Sequence, residues 1–360
     1  MSTNFFFKKF TIEDFRVFRS ISFDKIKRIN IISGINGSGK SSLIETMFLS
    51  IDLNNPTCLV RPFQWRGIPL SGDDLKILFP SDSMKGKVSA KTLSGDYFID
   101  LSYGPPARDM IMSASRNLDP TARNAYSQLS APNAEGVSIL AKKGNIAAEP
   151  SRWFMSQNGD NINATGIGLD NQIGVAGVYL SQFAPLPPRE MAEYVSKLMK
   201  QGQKGKIIEY MKMLSPGVKD LAVFQDGQVA QTYVALGDDK FTPLALMGGG
   251  FKALAEMVVS VMVSRNGIVF IDELDSALHF SVIPKLWGVL AEIANLENVQ
   301  IFAITHSRET IASAATGIKD SGKSSDFQYV RIDDMDTHHR CVHYNIDEIQ
   351  DAIELHVEVR

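Results

Sequence analysis

The stretch Gly34-Ile35-Asn36-Gly37-Ser38-Gly39-Lys40-Ser41 fits the pattern G-x-x-x-x-G-K-[ST] and restricts the fold more than any other part of the chain. It follows the apolar run Ile29-Asn30-Ile31-Ile32, which reads as a buried strand ending at Ser33. It precedes Ser41 to Ile51, where Leu43, Ile44, Met47 and Phe48 share one face of a helix. Strand, glycine loop and helix in that order make a phosphate cradle. The glycines let the backbone turn so that successive N–H groups face the phosphates, and the helix N-terminus adds its positive dipole. Asn36, Gly37, Ser38, Gly39, Lys40, Ser41 and Ser42 are therefore the expected nucleotide-binding residues. Lys40 is placed to bridge the β- and γ-phosphates, and the Ser41 hydroxyl to ligate the Mg2+ that accompanies ATP. A glycine-rich turn with a chance lysine is the competing reading, and the flanking strand and helix weigh against it.

Ile268-Val269-Phe270-Ile271-Asp272-Glu273 is a second apolar strand, and it ends in two carboxylates that are costly to bury unpaired. Beside a P-loop, Asp272 suits a magnesium ligand and Glu273 suits the base that orients or deprotonates the attacking water. Alone, the pair would read as a strand running out into a solvated turn. Thr305-His306-Ser307 follows a third apolar strand, Val299 to Ile304, and places an imidazole at its end, where His306 is expected to reach the γ-phosphate. His279, His338, His339 and His343 lack such a context and are expected at the surface, and His338-His339 has no further ligands to make a metal site.

The remaining chain has the composition of a large globular protein, with 44% hydrophobic and 21% charged residues and a formal net charge of -3, so no global basic field attracts nucleic acid. Two cysteines, Cys58 and Cys341, are too few for a disulfide framework and fit a reducing, cytoplasmic compartment. Neither a secretory leader nor a membrane span is expected from the sequence. Strands are expected around Phe10-Thr11-Ile12 and Ile21-Ser22-Phe23. From about Gly104 to Gln172 the chain is rich in Ser, Asn, Ala, Gly and Pro and reads as a loop-rich insertion, with Gly166, Gly168, Gly174 and Gly177 taken as loop. Glu190 to Met213 shows helical spacing broken near Gly202, and Leu221 to Leu236 reads as a hairpin about Gln225-Asp226-Gly227. Helices are also expected after Gly248-Gly249-Gly250 to about Ser264 and over Ser281 to Ala294.

Together these passages resemble the ABC-type ATPases of the SMC, RecF and OLD group, and most closely the stand-alone OLD-like AAA-family ATPases. Asp14-Phe15-Arg16-Val17-Phe18 is similar to the group's N-terminal N-F-[RK]-x-[FY] stretch, and Asn36 to Ser41 to its form of the P-loop. Leu246-Met247-Gly248-Gly249-Gly250-Phe251-Lys252 stands where the group carries its signature, with Met247 at the place of the signature serine. Phe270 to His279 resembles its Walker B and D-loop run, Thr305-His306-Ser307 its H-loop, and Ile346 to Arg360 its closing segment. Gln64, in Pro62-Phe63-Gln64-Trp65-Arg66, is the candidate Q-loop glutamine near the metal.

The resemblance implies an α/β P-loop NTPase with an ABC-type head: a mixed sheet with N-terminal antiparallel strands, flanking helices and an inserted loop and helical region. The expected halves are residues 1–100, with the P-loop, and 216–360, with signature, Walker B and H-loop, separated by an insertion at 101–215. It implies ATP hydrolysis with Mg2+, and Gly248, Gly249 and Gly250 acting in trans across a homodimer or higher homo-oligomer. Three functions compete: an ATPase that controls a separate effector in anti-phage defence, an SMC- or RecF-like ATPase of DNA repair or chromosomes, and an ABC-transporter ATPase. The chain shows no heptad run for a coiled-coil arm, no L-S-G-G-Q, and no Toprim-like acidic cluster after the H-loop, so a nuclease or Toprim-like partner would be a separate protein. Nucleic acid is left open as a partner and a membrane is not expected.

Overall fold

The computed structural model describes residues 6–53, 55, 57–68, 72–108, 111–112, 134–144, 151–158, 161–167, 174–181, 185–227, 229–237, 240–273, 278–335 and 338–354. Two strand patterns build two kinds of sheet. In β1 (Phe7–Phe15) and β2 (Phe18–Phe23) apolar residues alternate with polar ones, giving one dry and one wet face. These strands continue antiparallel through β4 (Lys85–Thr92), β5 (Gly95–Gly104), β6 (Gly136–Lys143), β7 (Ser151–Asn158) and β8 (Asn161–Ile167), in the order β2-β1-β4-β5-β6-β7-β8. The β1–β4 register slips between Phe7 and Lys9, and that bulge turns both Phe7 and Phe10 into the core.

The second sheet contains β3 (Ile29–Ser33), β9 (Gly177–Ser181), β13 (Ile268–Asp272), β14 (Gln300–Ile304), β15 (Phe327–Asp334) and β16 (His339–Tyr344), ordered β16-β15-β3-β14-β13-β9. All its neighbours pair in parallel except β16 with β15. Every residue of β3, β13 and β14 is buried, because this sheet is covered on both faces, and hence each reads as a continuous apolar run. β10 (Val218–Asp226), β11 (Val229–Leu236) and β12 (Phe241–Pro243) form a small third sheet, with the expected hairpin between the first two.

One face of the parallel sheet packs on α1 (Lys40–Ile51) and the antiparallel sheet. Phe302 sits where they meet, with Phe7 edge-on at 6.2 Å, Phe23 at 6.1 Å and Phe270 stacked at 5.5 Å. Gln300, 1% exposed, crosses the same boundary: its amide accepts from Phe7 N–H and donates to the Phe7 and Lys27 carbonyls, each at 2.9 Å. All its hydrogen-bonding groups are used, so the polar side chain is stable there. The other face carries α3 (Pro188–Lys200), α4 (Lys204–Leu214), α5 (Gly249–Val263), α6 (Ile283–Leu296), α7 (Arg308–Asp320) and α8 (Ile346–Glu354), while the short α2 (Arg61–Trp65) lies beside α1. Gly202, at φ 73, ends the α3–α4 break as the sequence implies. No helix among the described residues is long and apolar enough to cross a membrane.

The region read as a loop-rich insertion differs most. β6, β7 and β8 lie within it and extend the antiparallel sheet, burying Val137, Ile139, Trp153 and Met155. Their alternation was obscured by the small and polar residues around them. Gly166 and Gly177 belong to β8 and β9 instead of a loop, Gly174 lies between these strands, and Gly168 falls outside the described residues. His339 and His343 are half-buried, more enclosed than the sequence reading expected: His339 packs edge-on against Phe18 at 4.9 Å, and His343 Nε2 lies 3.1 Å from Asp24 while its ring sits beside Phe23. His279 and His338 are exposed. Leu274 to Ala277 of the D-loop resemblance and residues 355–360 of the closing segment are outside the described residues.

Candidate active site

β3 ends at Ser33 and the chain turns through Gly34 at φ 147, Gly37 at φ 85 and Gly39 at φ 88, all in regions that favour glycine. At Gly39 a second constraint applies, since a Cβ would lie 2.6 Å from the Phe18 ring. Gly39 is the N-cap of α1 and supplies no side-chain cap, which leaves the first N–H groups of that helix available to an anion. Lys40 is 5% exposed and folds back over the loop, its Nζ donating to the carbonyls of Gly34 and Ile35 at 2.9 Å each. Burial lowers the Lys40 pKa, against the pull of Glu273 and Asp272. Ser38 Oγ is buried with no hydrogen-bond partner among the described residues, and Asn36 and Gly37 are exposed.

The carboxyl ends of β13 and β14 bring the other expected residues to this loop. Asp272 Oδ1 lies 3.5 Å from the Ser41 hydroxyl, while Oδ2 accepts from the Tyr179 hydroxyl at 3.0 Å. Burial pushes Asp272 up to about 6; Tyr179 and Arg66 pull it down, and Glu45 and Glu273 push it further up. A serine hydroxyl and a carboxylate that converge on one point are a hard oxygen donor set and fit Mg2+ with phosphates. Glu273 follows at φ 58, uncommon for a glutamate, with its N–H donating to Ile304 O at 3.3 Å. His306 stands at the end of β14, where Thr305 N–H donates to Ile32 O at 3.2 Å, and its Nε2 lies 2.7 Å from Glu273 Oε1. The sheet thus places Lys40, Ser41, Asp272, Glu273 and His306 at one edge.

Two expected features lie elsewhere. Gln64 is exposed on α2, and it is Arg66, two residues on, whose guanidinium reaches toward Asp272, at 3.9 Å from Oδ2. Gly248 caps α5 at φ -55 and ψ 145 without a side-chain cap, and Gly248 and Gly249 have no heavy atom within 4 Å of a Cβ built on either. Met247 packs against the helical core, whereas Leu246 before it is 76% exposed. Among the described residues, no hydrogen bond joins these glycines to the P-loop.

Sequence reasoning missed the neighbours of Asp272. Glu45 of α1, 2% exposed in its side chain, pairs with Arg66 at 2.5 Å and with Arg16 of the β1–β2 turn. Tyr179 on β9 stacks on Trp65 at 4.6 Å. A charged residue between the apolar positions Ile44 and Met47 of α1 was the one available signal, because a buried glutamate needs cationic partners.

Comparison with known proteins adds four findings. The family described as "AAA domain, putative AbiEii toxin, Type IV TA system" matches residues 29–312. An ATP/GTP phosphatase of Helicobacter pylori is 22% identical over 317 residues, covering 83% of this chain and 85% of the relative. Among solved structures, an SMC head bound to the C-terminal winged-helix domain of ScpA aligns with a TM-score of 0.56 at 14% identity, covering 95% of this chain and 99% of that one. A second SMC head with an extended coiled coil, bound to the C-terminal domain of ScpA from Pyrococcus furiosus, aligns at 0.53 and 12% identity, covering 98% and 99%.

Proposed function

Because the chain belongs to this AAA-domain family and is an ATPase with the fold of an SMC head, we propose that ATP clamps two copies of it together and that hydrolysis releases them. The observation that carries this reading is the bare N-terminus of α5. The helix has no side-chain cap, a Cβ on Gly248 or Gly249 would meet only open space, and among the described residues no hydrogen bond links either glycine to the loop of the same protomer, which leaves room for an anion at the helix's first N–H groups. A partner's γ-phosphate would fill that space.

Within each site, the loop amides and Lys40 hold the phosphate chain, and Lys40 exchanges its contacts with the Gly34 and Ile35 carbonyls for phosphate oxygens. Ser41 and Asp272 would hold Mg2+, which neutralises charge developing between the β- and γ-phosphates. Glu273 orients the attacking water and takes its proton, and His306, whose Nε2 lies 2.7 Å from Glu273 Oε1, positions that carboxylate and reaches the γ-phosphate. The glycines of the second protomer exclude water and complete the anion site.

The resemblance to OLD-like ATPases, together with the toxin–antitoxin description of the family, supports a cytoplasmic sensor in anti-phage defence that controls a nuclease or Toprim-like effector, with nucleic acid open as a trigger. The SMC-head fold favours a second reading, a DNA-repair or chromosome-associated ATPase. α3 and α4, of 13 and 11 residues, are too short for a coiled-coil arm and weigh against it. Affinity purification of the tagged chain separates these readings: a nuclease or Toprim-like protein retained with it supports the first, chromosome-associated proteins the second, and a membrane permease the transporter reading.

The clamp itself is tested at Gly249. Gly249→Glu puts a bulky like charge where the partner's phosphate would lie. Hydrolysis is expected to fall at least about tenfold, the size of one lost phosphate contact, while ATP affinity at the P-loop stays within about twofold. Normal hydrolysis in this variant would make the glycine run a linker.

A further inference from the structure

The geometry points to Tyr179 and Arg66 as positioning residues for the cation site: they hold Asp272 Oδ2 so that Oδ1 stays turned toward Ser41. The inference rests on the reading of Asp272 as a Mg2+ ligand. A carboxylate has two equivalent oxygens and a free torsion, so a ligand aspartate at a strand end needs something to choose which oxygen it presents. Here Oδ2 is taken by the Tyr179 hydroxyl at 3.0 Å with Arg66 Nη2 at 3.9 Å, and Oδ1 is left facing the Ser41 hydroxyl at 3.5 Å. Tyr179 is fixed in turn: it is buried, stacked on Trp65 at 4.6 Å, and set edge-on to Phe48 at 5.5 Å. Its hydroxyl, enclosed with the ring, donates to Asp272 Oδ2.

Arg66 alone would compete with a cation for the carboxylate. Glu45 removes that conflict, because it pairs with Arg66 at 2.5 Å and offsets its charge. Arg16 completes a line of alternating charge, Arg16–Glu45–Arg66–Asp272, in which each charge has an opposite neighbour. This line ties the β1–β2 turn, α1, the end of α2 and the end of β13 to one another. It also accounts for two charged side chains, Glu45 and Asp272, at 4% and 5% exposure. Groups that orient a metal ligand typically change metal affinity by about tenfold to a hundredfold when removed.

Mn2+ serves as the spectroscopic probe, titrated against the full-length protein with a non-hydrolysable ATP analogue and read by electron paramagnetic resonance. Tyr179→Phe keeps the ring and its stacking and removes only the hydroxyl. It is expected to weaken Mn2+ binding roughly tenfold, and to raise the Mg2+ concentration for half-maximal hydrolysis by a similar factor while the rate at saturating Mg2+ recovers. Cation-free nucleotide binding should stay at the wild-type value, while thermal melting reports separately the cost of the lost hydrogen bond to a buried carboxylate. Arg66→Gln is expected to act in the same direction, and Arg66→Lys to restore part of the loss. Unchanged Mn2+ affinity in Tyr179→Phe, beside a loss in Asp272→Asn, would overturn the positioning role and leave the ligand reading standing. Unchanged Mn2+ affinity in Asp272→Asn would overturn both. Loss of cation-free nucleotide binding in Tyr179→Phe would give the tyrosine a structural role instead.

Discussion

Glu273→Gln is expected to keep ATP bound and to lower turnover by about a hundredfold to ten-thousandfold, the contribution of a positioned acid–base group. The amide preserves the shape of the side chain and can still accept from His306, whose Nε2 lies 2.7 Å from Glu273 Oε1. What it loses is the ability to accept a proton from water. The backbone favours this assignment too. Glu273 takes φ 58 directly after the last buried residue of β13, and such a conformation persists where the surroundings hold it, here through the Glu273 N–H to the Ile304 carbonyl. Phosphate release under single turnover, with bound nucleotide measured in parallel, decides the point. Hydrolysis at the wild-type rate would move the base to another group.

Lys40→Ala is expected to weaken ATP binding by at least about a hundredfold, or about 2.7 kcal/mol, since hydrogen bonds from a charged donor contribute about 1.5–3 kcal/mol each. Lys40 is buried in the loop and holds two carbonyls that the alanine leaves without it. Some loss of stability is therefore expected, and thermal melting separates it from the loss of affinity. Equilibrium binding of labelled ATP is the measurement, and an affinity within about threefold of wild type would remove Lys40 from the phosphate site.

How far the sequence was legible follows the kind of signal each residue carries. The P-loop, the ends of β13 and β14 and the glycines before α5 are local patterns: an apolar run, then residues of special chemistry or conformation, all within a few positions. Gly34 to Ser41, Asp272, Glu273 and His306 were accordingly named from sequence, and they lie together along one sheet edge. β6 and β7 escaped because a wet-faced strand of Ser, Gly and Ala beside buried Val137, Ile139 and Trp153 resembles a loop when its partners are far off in sequence. His343 was misread for a related reason. Of its partners, Gln328 lies on the neighbouring strand β15, while Asp24 comes from the loop after β2, distant in sequence, and only the folded sheet brings it alongside. Tyr179 and Arg66 were invisible on the same account, and Glu45 was marked only by its charge between the apolar Ile44 and Met47. They come from β9, the end of α2 and α1, and nothing in their immediate neighbours indicates that they converge on Asp272. Gln64 was named for its resemblance and is exposed on α2, and nothing in the sequence marked that Arg66, two positions on, reaches toward Asp272.

The central claim, that ATP joins two copies of the chain, is tested most directly by the mass of Glu273→Gln in solution. This variant should hold ATP without consuming it and so trap the joined state. Light scattering at protein and ATP concentrations that saturate the P-loop is expected to give the mass of two protomers with ATP and Mg2+, and a smaller mass without nucleotide. A single-protomer mass under both conditions would contradict the clamp.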